Sequence, residues 1–266
     1  MKILLLSDIH FNRTWYDLIL RQKVDAVFIA GDLLNGFTEE GLIPQMLWLA
    51  EWCSQCKIPL ALSSGNHDAN ELGGAFGVES LSAFPLSQQV MLGKMLSAGH
   101  WMDVLERPGL ITDGRTALLE TANGAMMVTT LPFNFAAEDS LLEEKLLSEG
   151  AKRRRELRIP WIVLHHDPPA DTAVGGMMGD PSFFYRIREY CPSFVLSGHL
   201  HDQPYVGSFA DKIDNTWCFN PGYPLQSQVK KAKFPNHILL DLKQSTATWY
   251  ATPPTGTLTL EKKISL

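Results

Sequence analysis

The chain has no apolar run long enough to serve as a membrane-spanning helix. Cysteine is scarce, with four in 266 residues. Cys53 and Cys56 form a lone C-x-x-C inside a helical stretch, with no second pair to complete a zinc site and no thioredoxin-like strand leading into it. They read as two thiols on a helix face. A basic surplus is also missing: the net charge is −6, which argues against a non-specific nucleic-acid binder. There is no internal repeat, no low-complexity tract and no linker that divides the chain. The opening apolar run, Met1 to Leu6, is too short for a signal peptide and is interrupted by Asp8 and His10. A cytoplasmic protein is expected, forming a single domain over residues 1–266.

What the chain does have is a series of short apolar runs that all end in polar, chemically capable residues. Lys2 to Leu6, Ala26 to Ala30, Ile58 to Leu62, Trp161 to Leu164 and Phe194 to Ser197 read as buried strands. Helical stretches, Thr14 to Lys23 and Thr38 to Gln55, separate the first three, with Thr38 a candidate cap for the second. This β-α-β-α-β order predicts a parallel sheet with right-handed crossovers. Asn123-Gly124 marks a hairpin between Thr116–Glu120 and Met126–Thr130. Further helices are expected over Ser87 to Ser97, Ala137 to Arg158 and Ser182 to Tyr190. Trp217 to Asn220, Asn236 to Leu242 and Thr246 to Thr252 complete the strands, and Thr252 to Leu266 reads as a loosely packed tail. Two successive β-rich halves predict an α/β fold: two mixed sheets face to face with helices outside, a four-layer αββα sandwich. The stretch 69–107 reads as a cap or lid.

The strand ends carry Asp8-Ile9-His10, Gly31-Asp32, Gly65-Asn66-His67-Asp68, His165-His166 and Gly198-His199-Leu200-His201. In open α/β sheets the carboxyl ends of strands gather at one edge, where sites form. Any one of these pieces is also found in an ordinary loop or as a hydrogen-bonded structural histidine. Two aspartates, an asparagine and several histidines at one edge would bury many polar groups without partners, unless a cation joins them. The mixture of carboxylate and imidazole suits manganese, iron, cobalt or zinc better than calcium. A single carboxylate can bridge two ions about 3.5–4 Å apart.

In this order, the five motifs resemble the calcineurin-like metallophosphoesterase superfamily. The resemblance implies a phosphoesterase with two divalent transition-metal ions, manganese foremost. It implies that Asp8, His10, Asp32 and His201 hold one ion. Asp32, Asn66, His165 and His199 hold the other, with Asp32 bridging. His165 is preferred to His166 because it directly follows the strand. His67 takes the family's catalytic position, either giving a proton to the leaving oxygen or steadying the transition state. Attack is expected from a hydroxide bridging the ions. Arg13 and His166 are candidate substrate contacts.

The sequence departs from the protein phosphatases of the superfamily, which follow the bridging aspartate with G-D-x-x-D-R-G. Here Gly31-Asp32-Leu33-Leu34-Asn35-Gly36 lacks that second aspartate and the arginine. The resemblance therefore points to a phosphodiesterase acting on a small phosphodiester or nucleotide. The expected partner is a small phosphate ester, without membrane or nucleic acid. The competing readings are a catalytically silent scaffold of the same fold and a nuclease subunit.

Overall fold

The protein is described by a computed structural model covering residues 1–38, 41–68, 84–98, 100–133, 139–225, 228–252 and 260–266. Its architecture follows from two sets of short apolar strands. In the first half, Lys2–Leu6 (β1), Ala26–Ala30 (β2) and Leu60–Ser63 (β3) lie parallel, joined through the helices Arg13–Ile19 (α1) and Leu42–Gln55 (α2). Leu110–Ile111 (β4) adds a short parallel edge. In the second half, Arg115–Thr121 (β5) and Gly124–Thr130 (β6) form the hairpin, and Trp161–Leu164 (β7) and Phe194–Leu196 (β8) run parallel to β6. Ala210–Ile213 (β9) and Thr216–Phe219 (β10) extend that sheet. The chain then returns to the first sheet through His237–Asp241 (β11), Thr246–Ala251 (β12) and Leu260–Ser265 (β13).

The result is a seven-stranded sheet in the order β13-β12-β11-β1-β2-β3-β4 and a six-stranded sheet in the order β5-β6-β7-β8-β10-β9. Both are mixed. Alternate strand residues divide between two cores, as the period of a strand requires. Ile3, Leu5, Phe28, Ile162, Leu164 and Leu196 fill the space between the sheets. Leu4, Leu6, Val27 and Ile29 face α1, α2 and the helix Leu86–Ala98 (α3). Trp161, Val163 and Val195 face Asp139–Leu157 (α4) and Pro181–Tyr190 (α5). The expected four layers are therefore present.

Several local expectations need correction. Helix α2 starts at Leu42 after Gly41, which has a φ of 71° and provides no side-chain cap, so Thr38 is not the cap. Thr38 instead donates to the Asn35 carbonyl of its own loop and accepts from the Gln45 amide on α2. The sequence also puts Glu39 and Glu40 in the first turn of this helix, where they suit its dipole; both lie outside the described residues. Leu260–Ser265, expected in a loose tail, is a paired edge strand. Of the stretch read as a lid, residues 69–83 and 99 lie outside the described residues. Its remainder packs Leu92, Met95, Trp101, Met102 and Leu105 into the core beneath the first sheet. Cys53 and Cys56 are buried beside it, and burial pushes the Cys53 thiol up to about 12, so it stays protonated. Among the described residues no helix is long and apolar enough to cross a membrane.

Candidate metal centre

The parallel strands of both sheets end at one edge, and five of them deliver the polar side chains: β1, β2 and β3 from the first sheet, β7 and β8 from the second. The sheets meet closely there. The His199 backbone N–H, beyond β8, donates to Asp8 Oδ1, beyond β1, at 3.1 Å. The Asp8 and His10 side chains do not share a side by simple strand alternation. Asp8, His10, Asp32 and His199 all have left-handed backbones, with φ of 54°, 46°, 52° and 64°. Each such non-glycine residue costs on the order of 1–3 kcal/mol, and this strain is concentrated at the strand ends that carry the site.

Asp8, His10, Asp32 and His201 offer ligand atoms all within 4.8 Å of one another. His10 Nε2 and His201 Nε2 are 3.1 Å apart, and His201 Nε2 is 3.2 Å from Asp8 Oδ1. Burial works against charge on Asp8, yet the hydrogen bond and charge of His201, with His166 and His10, hold its carboxyl well below the usual range. Burial pulls His10 down to about 4, leaving its imidazole neutral and able to ligate a cation. Asp8 Oδ2 is buried with no hydrogen-bond partner. A buried carboxylate with one oxygen unmatched, set among imidazoles whose ligand atoms converge with it, is what a divalent cation would satisfy, so these residues fit one.

Beside this group lies a second. Asn66 Oδ1 is 3.1 Å from His166 Nε2 and 2.9 Å from His199 Nδ1, and His166 Nε2 is 3.4 Å from Asp32 Oδ1. Asp32 therefore adjoins both groups. On its far side His166 Nδ1 lies 2.9 Å from the Ala30 carbonyl, which can only accept. Nδ1 must carry hydrogen, so in neutral His166 it is Nε2 that is free to ligate. Burial disfavours a second proton on His166, but Asp32 and Asp8 overcome it and raise the imidazole to about 10. A bound cation would compete for that site.

The structure brings His166, not the expected His165, to the Asp32–Asn66–His199 group. His165 faces the other way, its ring 4.5 Å from Phe183 on α5 and its Nε2 3.9 Å from Asp180 Oδ2. His166 enters the cluster. The reason is the strand period: Ile162 and Leu164 face the space between the sheets, and so does the residue two further on. Arg13 lies in the wall of a groove between α2 and α3, its guanidinium 5.0 Å from the Phe11 ring and 5.6 Å from that of Trp48.

Two glycines of the motifs matter for the space they leave. Gly65 opens a turn, its carbonyl accepting the Asp68 N–H at 3.0 Å, without a positive φ. A Cβ there would run into the Asp32 carboxylate and backbone. A Cβ on Gly198 would press on Asp8 Oδ2 and Ser7. Each lets two strand ends approach closely enough for their ligands to meet.

His67 is pinned at both ends. Its backbone N–H donates to Asp32 Oδ1 at 3.0 Å. Its Nδ1 accepts the Gly36 N–H at 3.0 Å, and its Nε2 is 3.9 Å from Asp32 Oδ2. A backbone N–H cannot accept, so the singly protonated ring carries its hydrogen on Nε2, toward the cluster.

Three residues around the site escaped the sequence reading. Asp68, fully buried, accepts the N–H groups of Leu33, Leu34 and Gly65, tying the Asp32 loop to the Asn66 loop. The fourth position of G-N-H-D was the signal for it. Phe133 covers His166 and His199 at 5.6 and 6.2 Å, and the Tyr223 ring lies 4.9 Å from His201 and 5.1 Å from His10. Neither had a sequence signal.

The family model for calcineurin-like phosphoesterases matches residues 1–203, and the chain belongs to that family. Among solved structures it resembles the protein TT1561 of Thermus thermophilus, with a TM-score of 0.57, 17% identity, 91% of this chain and 94% of that chain covered. It also resembles GAP50, described as the anchor in the inner membrane complex of Plasmodium, with a TM-score of 0.54, 13% identity, 100% of this chain and 89% of that chain covered. At these identities the likeness shows the fold. Compared with curated proteins, the chain has no match.

Proposed function

We propose that the protein is a metal-dependent phosphodiesterase acting on a small phosphodiester or nucleotide. The observation that carries this reading is the convergence of Asp8, His10, Asp32 and His201, with Asp8 Oδ2 buried and unpartnered. Asp8, His10, Asp32 and His201 would hold one divalent ion, and Asp32, Asn66, His166 and His199 the other. Bound there, such ions supply Lewis acidity and a lowered water pKa, with manganese the first choice and iron, zinc or cobalt the others.

The chain's own residues do the rest. Asp32 is fixed against both groups by the His67 N–H. His67 presents Nε2–H toward the cluster, where it can donate to a phosphoryl or leaving-group oxygen without itself losing the proton. This favours steadying of the transition state over full proton transfer: a second proton on Nδ1 would have to displace the Gly36 N–H. The charged groups acting most strongly on Asp8 are His201, His166 and His10, and on Asp32 they are His166, Asp8 and His10. A singly charged diester suits such a site better than a doubly charged monoester.

Purified protein reconstituted with manganese, assayed on bis-p-nitrophenyl phosphate, p-nitrophenyl phosphate and 2′,3′- and 3′,5′-cyclic nucleotides, tests the reading. The diesters should turn over faster than the monoester. Faster monoester hydrolysis would reverse the preference, and two bound metals with no hydrolysis of any ester would point to a binding protein.

A further inference from the structure

We infer that Phe37 forms an aromatic platform for the leaving group, so that the preferred diesters carry a planar leaving group such as an aryl ring or a nucleobase. The inference rests on the phosphodiesterase reading above. Phe37 lies in the loop between β2 and α2 with 89% of its surface exposed, beside His67. Its ring stands edge-on to His67, with centroids 4.8 Å apart and planes at 86°. Single exposed apolar residues are common on proteins and call for no function by themselves. This one differs in how it is held.

The loop is braced from Asn35 to Thr38. Asn35 N–H donates to the side-chain carbonyl of Gln45 at 2.8 Å, and the Gln45 amide donates back to the Asn35 carbonyl at 3.0 Å and to Thr38 Oγ1 at 2.9 Å. Gln45 is fully buried, a polar side chain committed to fixing this loop from beneath. Gly36 N–H is tied to His67 Nδ1, and Phe37 N–H to Asn35 Oδ1 at 3.0 Å. The backbone on both sides of the ring is therefore positioned, while the ring meets solvent. The same Gly36–His67 bond aims Nε2–H at the cluster. A substrate whose phosphorus lies at the cluster and whose leaving oxygen meets His67 carries the body of its leaving group past the imidazole, where Phe37 stands. A planar apolar group gains ring contact there; a small alkoxide leaves the ring in water.

Binding measurements distinguish this inference from the reading beneath it. Methyl phenylphosphonate and methyl methylphosphonate are singly charged diester analogues whose P–C bond resists hydrolysis. Isothermal titration of each into the manganese-loaded protein reads binding with or without turnover. An aromatic contact should favour the phenyl compound by roughly 3–10-fold. Phe37→Ala should bring the ratio to about one, and Phe37→Trp should restore it, with metal content the same in all three proteins. Equal binding of the two compounds by the parent, or a phenyl preference that survives in Phe37→Ala, would overturn the platform and leave the phosphodiesterase reading standing. Failure of the loaded parent to bind either phosphonate would overturn both.

Discussion

The Gly36 backbone N–H donates to His67 Nδ1 at 3.0 Å and so decides which nitrogen of His67 faces the site. In the protein phosphatases that the sequence departs from, the motif after the bridging aspartate supplies a second carboxylate. Asn35 stands at that position here, and the N–H of the next residue, Gly36, reaches His67. The sign of the interaction matters. A carboxylate would accept from the ring, whereas the Gly36 N–H gives to it, leaving Nε2–H as a standing donor.

His67→Ala should therefore slow hydrolysis of p-nitrophenyl and alkyl diesters by similar factors, on the order of 10²–10³, the loss typical of one preorganised donor. Both metals should stay bound. Rates measured across a series of leaving groups test this. A loss that grows as the leaving alkoxide becomes more basic would show that His67 transfers its proton.

Gly65→Ala should weaken metal binding although residue 65 is not a ligand, because the added methyl collides with the Asp32 carboxylate. A fall in affinity on the order of 10–100-fold is expected, as for other changes that displace a ligand without removing it. Competition with a chelating indicator measures it. Unchanged affinity would mean that Asp32 does not need the position seen here.

The main strands were legible because of their burial: β2 and β7 are apolar runs buried throughout, and β1 is so after Lys2. Leu260–Ser265 was not, because L-E-K-K-I-S is an exposed edge strand stabilised by pairing with β12, and pairing leaves little trace in hydropathy. Ala210–Ile213 was missed for the same reason, and the two-residue β4 is too short to show a period. The site was legible as a set of motifs, since each motif closes a buried strand. The choice between His165 and His166 was open to the same period-two argument that orders the strands. Carrying the alternation of Ile162 and Leu164 one step further selects His166. The left-handed turns at Asp8, His10, Asp32 and His199 had no such signal, because the residues adopting them are not glycines.

A pH dependence of stability should arise from Asp113. Its carboxyl is fully buried; Oδ1 accepts the Ser64 N–H at 2.7 Å, while Oδ2 has no partner. Burial raises it to about 7 from an ordinary 3.8, despite the hydrogen bonds from Ser64. Between those values the folded chain holds a proton that the unfolded chain has released. Stability should thus fall as pH rises from about 4 to about 7 and level off above. Asp113→Asn keeps an acceptor for Ser64 and removes the titration, so the difference in urea midpoint between variant and parent should grow in favour of the variant over that range. A constant difference would place the Asp113 pKa outside it.

The metal content of two single variants tests the central claim most directly. Elemental analysis of manganese-reconstituted His166→Ala and His165→Ala, with circular dichroism confirming that each is folded, should find one metal per chain lost from His166→Ala and two retained by His165→Ala. Two metals in His166→Ala and one in His165→Ala would contradict the centre described here.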